Sequence, residues 1–218
     1  GGADKVARQK ARGKLNARER LAALLDPESF REIGKIAGRG HYAGNGELDG
    51  FSASNFIFGR GHINGAPVVA TADDFTVRGG AADAALHRKF EQGEQMAHEL
   101  RLPLIRMIDG TGGGGSVTML EDMGFTYVPY VPGWQHVIKN LETVPVVAMA
   151  LGPTAGLGAA RVVASHYSIM VRGLAQIFSA GPAVAAFLGE ELSKEELGGA
   201  DIHARNGVVD DEAESEAA

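Results

Sequence analysis

The residues best placed to do chemistry in this sequence are glycines rather than acids, bases or thiols. Asp109-Gly110-Thr111-Gly112-Gly113-Gly114-Gly115-Ser116 follows the apolar run Leu104 to Ile108, and Gly152-Pro153-Thr154-Ala155-Gly156-Leu157-Gly158 follows the apolar run Val144 to Leu151. Each pattern predicts a strand, a glycine turn and then a helix. Two backbone N–H groups, one from each turn, would converge on the oxygen of a thioester as it becomes an enolate, and glycine suits that task because no Cβ blocks the acyl group. Each donor would lie near a helix N-terminus, whose dipole favours developing negative charge. Taken singly, either loop is equally a tight turn that permits close helix packing. The first also satisfies GxGxxG at Gly110, Gly112 and Gly115. A dinucleotide site is disfavoured because the next strand ends in Leu151-Gly152 with no acidic group for a ribose, and a Walker A loop because no Lys follows Gly115.

Other candidate groups have plainer readings. Asp73 and Asp74 are neighbours in a strand, so they point to opposite faces and cannot form an acid–base pair; a strand-end turn or helix cap is expected. Arg78, with Arg39, Arg60, His87, Arg88 and Lys89, is set either to meet phosphates or to form a solvated basic surface. His87 and His98 share a helix without supporting carboxylates, so no metal site is expected. His166 and His203 are expected to be structural or exposed. Trp134, Tyr127 and Tyr130 border a Pro-containing stretch, where they either line a pocket or pack a loop.

These groups must be positioned by one ordinary core. The chain has 218 residues, with 21 Lys and Arg against 27 Asp and Glu, a net charge of −6. That balance argues against broad binding to nucleic acid or anionic membrane. The absence of cysteine excludes disulfides, thiolate metal sites and a Cys nucleophile. No apolar run approaches the roughly 20 residues that span a bilayer, and a cytoplasmic location is expected.

Residues 1–26 predict an N-terminal helical segment, with Val6, Leu15, Leu21, Leu24 and Leu25 at helical spacing and Asp26-Pro27 as the stop. Residues 27–218 predict a single domain. Strands are expected over 30–36, 46–51, 56–63 and 67–73, with antiparallel pairing through turns such as Asn64-Gly65. A helix over 82–100, a strand over 104–108, a helix over 134–141, a strand over 144–151 and a helix over 159–164 then predict crossover units covering a largely parallel sheet. Short strands over 167–171 and 175–179 follow. The apolar helix expected over 182–188 is either interface or core, and residues 210–218 predict the start of a helix or a frayed tail.

Taken together, Ala11 to Arg20, Asp74-Phe75-Thr76-Val77-Arg78-Gly79-Gly80, the Asp109 loop, Gly152-Pro153-Thr154-Ala155-Gly156, Phe178 to Pro182 and Glu195 to Ala200 occur in an order that resembles the carboxyltransferase subunits of propionyl-CoA, acetyl-CoA and methylcrotonyl-CoA carboxylases. The resemblance implies an α/β fold of the crotonase type, a ββα superhelix of stacked strand–helix units, acting as the N-terminal, acyl-CoA-binding domain. It implies that the N–H of Gly113 or Gly114 and that of Gly156 hold the thioester oxygen. It places Arg78, Gly79, Gly80, Gly112, Thr154, Ala155 and Leu157 around the substrate. The implied cofactor is biotin, carboxylated on a biotin carboxyl carrier protein by a biotin carboxylase, with coenzyme A as part of the substrate. In that family the ureido nitrogen, not a side chain, takes the α-proton. A C-terminal carboxyltransferase domain or subunit and an oligomeric state are also implied. The chain departs from the pattern in its longer first glycine run, in Leu157 where a second glycine is usual, and in Ser165-His166 where an acidic residue is typical. The resemblance places the second domain after the last residue of this sequence, so a half-site is expected. Decarboxylation of a malonyl-type CoA and a non-catalytic acyl-CoA-binding scaffold are the rival expectations.

Overall fold

The computed structural model describes residues 1–81, 87–110, 121 and 133–218. Strands β1 (Arg31–Glu32), β4 (Phe56–Ile63), β5 (Ala66–Asp73), β6 (Leu104–Ile108), β7 (Val146–Ala150), β9 (Tyr167–Val171) and β11 (Asp211–Ala213) form the main sheet, side by side in that order. β1, β4 and β5 pair antiparallel, and from β5 onward every neighbour is parallel. The β4–β5 hairpin turns at Asn64 and Gly65, both at positive φ, 51° and 79°. Asp26 fixes this turn by accepting both amides, at 2.9 and 2.8 Å. Both the antiparallel opening and the parallel continuation agree with the sequence pattern.

Period-two alternation decides what each strand shows to each face. Val68, Ala70 and Ala72 of β5 and Ile105 and Met107 of β6 join Ala17, Leu21 and Leu25 in one core cluster. That face is covered by helix α2 (Ala17–Leu24). Val69 and Leu104 point the other way, into a cluster with Ala97, Val144 and Val146, beneath α3 (His87–Leu100) and α4 (Trp134–Thr143). On the same side α5 (Leu157–Val163) buries Ala159 and Val162 against Ile108, Ala148 and Ala150. Both faces are therefore apolar, as a parallel sheet requires. Continued past its end, the β6 alternation aims Asp109 at the α2 face, whereas Arg106 faces α3.

Helix α1 (Ala3–Lys10) is a surface helix apart from buried Gln9. Helix α2 is more deeply seated, and it starts at a capping box: Asn16 Oδ1 accepts from the amides of Arg18 and Glu19, and Glu19 returns a bond to the Asn16 amide. Such a cap stabilises by about 1 kcal/mol, and burying Leu21 and Leu25 by about 1.5–3 kcal/mol each.

The structure departs from, or decides among, the expected elements in several places. Residues 211–213 form edge strand β11 rather than a helix or a frayed tail, because Asp210 accepts from the amide and hydroxyl of Ser168 and the Arg172 amide donates to Ala213. The first expected strand shrinks to Arg31–Glu32. A hairpin of β2 (Gly38–Tyr42) and β3 (Leu48–Ala53) stands off the main sheet; β2 has no apolar alternation to announce it, since neither of its faces is buried. Helix α6 (Pro182–Phe187) is not core: Val184, Phe187 and Leu188 are exposed, Phe187 by 90%. Two short helices, α7 (Lys194–Gly198) and α8 (Ala200–His203), lead to the last strand.

His166 is structural, its Nδ1 accepting from the Val146 amide and its Nε2 donating to the Leu141 carbonyl. His203 similarly serves the Ile177 carbonyl. Trp134 packs beside the aromatic cluster of Phe56, Phe58 and Phe90, whereas Tyr127 and Tyr130 lie outside the described residues. Among the described residues no helix is long and apolar enough to cross a membrane, and no group of three or more His, Asp or Glu side chains is placed to hold a metal.

Candidate active site

Strand β7 runs through Leu151 and Gly152 into a short strand, β8 (Pro153–Ala155), which pairs parallel with β10 (Gln176–Phe178). Gly156 then turns the chain into α5 with φ 57° and ψ −119°. Only glycine enters that region without strain, and the conformation is the reason for glycine here, since a Cβ at this position would meet nothing nearer than the Ser179 carbonyl at 3.9 Å. The Gly156 amide continues the β8–β10 ladder by donating to the Phe178 carbonyl at 3.1 Å. This corrects the expected role of Gly156, because its N–H is already engaged. The amides of Leu157, Gly158 and Ala159, in the first turn of α5, have no hydrogen-bond partner among the described residues, as helix geometry dictates. Gly156 is exposed and Leu157 partly so, which puts the Leu157 amide nearest solvent.

The remaining expected contacts divide. Thr154 is fully buried and its hydroxyl donates to the Gly152 carbonyl, so its side chain shapes the turn. The Ala155 amide donates to the Gly110 carbonyl in a long bond of 3.4 Å, tying the second turn to the root of the first. Gly112, Gly113 and Gly114 lie outside the described residues. Arg78, Gly79 and Gly80 form a single 3-10 turn. Gly80 is pressed against the first loop: a Cβ there would lie 2.6 Å from the Asp109 carbonyl oxygen, and one on Gly110 would lie 2.7 Å from the Gly80 carbonyl. Three of the expected segments thus share one small region.

Beneath it sits a buried ionic cluster. Asp109 is 0% exposed. Lys14 Nζ contacts its carboxylate at 2.7 Å, Arg20 Nη1 at 2.8 Å and Gln9 Nε2 at 3.4 Å. Arg20 also donates to the Leu151 carbonyl at 3.1 Å and grips Glu216 with two nitrogens at 2.6 and 2.7 Å. Gly152 packs directly on this cluster, where a Cβ would overlap Asp109 Oδ1 and Lys14 Nζ. Burial pushes the Asp109 carboxyl above its ordinary range, opposed by Arg20 and Lys14. Burial likewise lowers the Lys14 ammonium, opposed by Asp109. Burial thus works against both charges and their mutual contact offsets it, so removing one partner strands the other.

The opposite face carries two more buried pairs. Asp73 accepts from Arg161 Nη1 at 3.1 and 3.2 Å and from the Asp109 amide at 3.3 Å. Asp73 is thus a buried ion-pair partner and not a turn residue, whereas Asp74 does form the expected turn by accepting from Thr76. Arg161 Nε and Nη2 have no hydrogen-bond partner among the described residues, and the guanidinium lies over the rings of Phe90 and Phe56, at 4.9 and 5.4 Å, as compensation. Arg106 makes a two-pronged contact with Glu94 at 2.8 Å and donates to the Arg161 and Ala164 carbonyls, closing the C-terminus of α5. Lone charges in apolar strands were the available signal for Arg106 and Asp109; nothing in sequence named Lys14, Arg20 or Glu216 as their partners.

A basic cleft of about 270 Å³ opens beside these turns, lined by Lys5, Arg8, Arg12, Lys14, Phe75 and Arg78 among others. Lys5, Arg8 and Arg12 are exposed and form no ion pair with any described carboxylate. The cations expected to accompany Arg78 are elsewhere: Arg39 and Arg60 lie exposed on β2 and β4, and Lys89 is buried 3.7 Å from Glu32. The side chains of His87 and Arg88 fall outside the described residues.

The family model for the carboxyl transferase domain matches residues 8–218. The mitochondrial methylcrotonoyl-CoA carboxylase beta chain of Dictyostelium discoideum is 34% identical over 226 aligned positions, covering 100% of this chain and 37% of that one. The methylmalonyl-CoA decarboxylase subunit alpha of Veillonella parvula is 31% identical, over 99% of this chain and 42% of that one. Among solved structures, a transcarboxylase 12S hexamer with methylmalonyl-coenzyme A and methylmalonic acid bound superposes with a TM-score of 0.81 at 31% identity, covering 100% of this chain and 42% of that one. The mixed α/β, crotonase-type architecture expected from the resemblance is the one found. The chain spans about two fifths of the length of the relatives it matches.

Proposed function

Because the chain belongs to the carboxyl transferase domain family, we propose that it is the acyl-CoA-binding half of a biotin-dependent carboxyltransferase site. The observation that carries this reading is the Ala155 to Gly110 bond, which holds the roots of two glycine turns together with unpaired amides on the lip of the second. One donor to the thioester oxygen is the Leu157 amide, in place of Gly156, and the other comes from Gly113 or Gly114. Donors fixed in advance at the point where charge develops stabilise an enolate more than its parent thioester, which is the condition for rate acceleration. Carboxybiotin, brought by a biotin carboxyl carrier protein, supplies the carboxyl group. The chain's own residues bind and orient the thioester and hold the negative charge, while a C-terminal carboxyltransferase domain or subunit presents the biotin. The exposed apolar face of Val184, Phe187 and Leu188 suits such a partner or a second copy of the chain.

The phosphate-bearing end of CoA belongs in the basic cleft, where Arg78 and the cations of α1 and Arg12 face one another. Reversing charge in Arg8→Glu with Arg12→Glu is expected to weaken binding of acetyl-CoA at least tenfold, with little effect on acetyl-pantetheine, which lacks the phosphates. Isothermal titration of both ligands measures this, and equal losses for the two would place the phosphates elsewhere.

The likeness to a methylmalonyl-CoA decarboxylase subunit favours a second reading, loss of CO2 from a malonyl-type CoA, since the same donors stabilise the same enolate. The test is an assay of the chain with a biotinylated carrier and a C-terminal carboxyltransferase partner. Transfer of labelled carboxyl from carboxybiotin to acyl-CoA supports the first reading. Release of CO2 from malonyl-CoA without biotin supports the second, and binding of CoA esters with neither reaction leaves a scaffold.

A further inference from the structure

The position of Arg20 is unusual in what it connects. Its guanidinium touches Asp109, the residue immediately after β6, and the carbonyl of Leu151, the residue immediately after β7. Those are the last positions before the two glycine turns. Glu216, at the far end of the chain in sequence, holds Nε and shares Nη2 with the Leu151 carbonyl. Lys14 secures the other side of the Asp109 carboxylate, and Gly152 rests on that contact. The Asp109 backbone meanwhile bonds Asp73 through its amide and meets Gly80 at its carbonyl. A shift of the guanidinium would therefore move both turn roots together or pull them apart.

We propose that Arg20, anchored by Glu216, is a positioning residue that fixes Asp109 and Leu151, the roots of the two glycine stretches, relative to each other and hence sets the aim of the Leu157 amide at the thioester oxygen. This rests on the reading of those turns as an oxyanion hole. A planar fork suits the task because it binds two acceptors and a carboxylate at fixed angles, whereas an ammonium at the same place preserves the charge beside Asp109 and loses the geometry. Arg20 touches no substrate; it acts through Asp109 and Leu151.

The test reads the carbonyl itself. Hydrogen bonds from the two turns polarise a bound thioester, so the infrared band of acetyl-CoA labelled at the carbonyl carbon moves to lower wavenumber on binding to the full chain. In Arg20→Lys we expect the protein to stay folded and to bind acetyl-CoA within about threefold of wild type, but to lose at least about half of that band shift. A residue that only supplies buried charge would be replaced by Lys with the shift intact, and that result overturns the proposal. Should Arg20→Lys not fold, Glu216→Gln decides: it leaves both partners of Asp109 in place and loosens only the anchor, so a reduced shift supports the proposal and a full shift overturns it. A wild-type band that does not move at all removes the oxyanion-hole reading and the positioning role with it, an outcome distinct from failure of the positioning role alone.

Discussion

Gly156→Val is expected to lower carboxyl transfer by about 10²–10³-fold or more while leaving the protein folded. The reason is conformational. Gly156 sits at φ 57° and ψ −119°, where a β-branched residue costs roughly 1–3 kcal/mol and relieves that cost by rotating the peptide that joins it to Leu157. The peptide that would move carries the Leu157 amide, the proposed donor. Space is not the issue, since the added Cβ meets only the Ser179 carbonyl at 3.9 Å, so the fold should tolerate the change that the site does not. The reconstituted transfer assay beside a thermal melt separates the two effects. Near-normal transfer would mean that this turn does not serve the reaction.

Asp109→Ala is expected to destabilise the fold by about 3–5 kcal/mol, the scale for breaking a buried pair by removing one partner. Lys14 is left with a buried ammonium and no anion, and Arg20 keeps only Glu216 and a carbonyl. Against a total stability of about 5–15 kcal/mol for a typical domain, that is a large share. Arg172 is the control. It also contacts three carboxylates, those of Asp201, Glu212 and Glu214, yet it is 40% exposed, and Arg172→Ala should cost no more than about 1 kcal/mol. Urea unfolding of both variants measures the contrast. Equal small losses would mean that Asp109 is not held as an ion between its two cations.

Much of the fold was legible because its pattern is local. Two apolar runs followed by glycine were enough to place β6 and β7 and to predict parallel pairing, and the Asn64-Gly65 turn announced the β4–β5 hairpin. The edge strand at 211–213 was not legible, since its pairing depends on Asp210 meeting Ser168, 42 positions away in sequence, and its own residues are as polar as a tail. The same limit applies to the site. The glycine turns could be read as turns, but whether the Gly156 amide is free depends on the Phe178 carbonyl, which only the β8–β10 pairing brings to it. The Ala11 to Arg20 stretch showed its family resemblance in sequence without its physical role. That role becomes visible only when alternation along β6 aims Asp109 at the α2 face and Lys14 and Arg20 are found there to receive it. For the phosphate site, the sequence pointed to six cations, of which Arg78 alone lines the cleft among those whose side chains are described; the rest of its charge comes from Lys5 and Arg8 of α1 and from Arg12 and Lys14.

Whether amides from two separate turns meet at one oxygen atom is decided by a crystal structure of the chain with a bound, non-hydrolysable acyl-CoA. The thioester oxygen should lie about 2.7–3.1 Å from the Leu157 amide and from an amide in the first glycine loop, with the CoA phosphates in the cleft of Arg8, Arg12 and Arg78. A bound thioester whose oxygen faces solvent, or contacts only one of the two turns, would contradict the two-turn oxyanion hole.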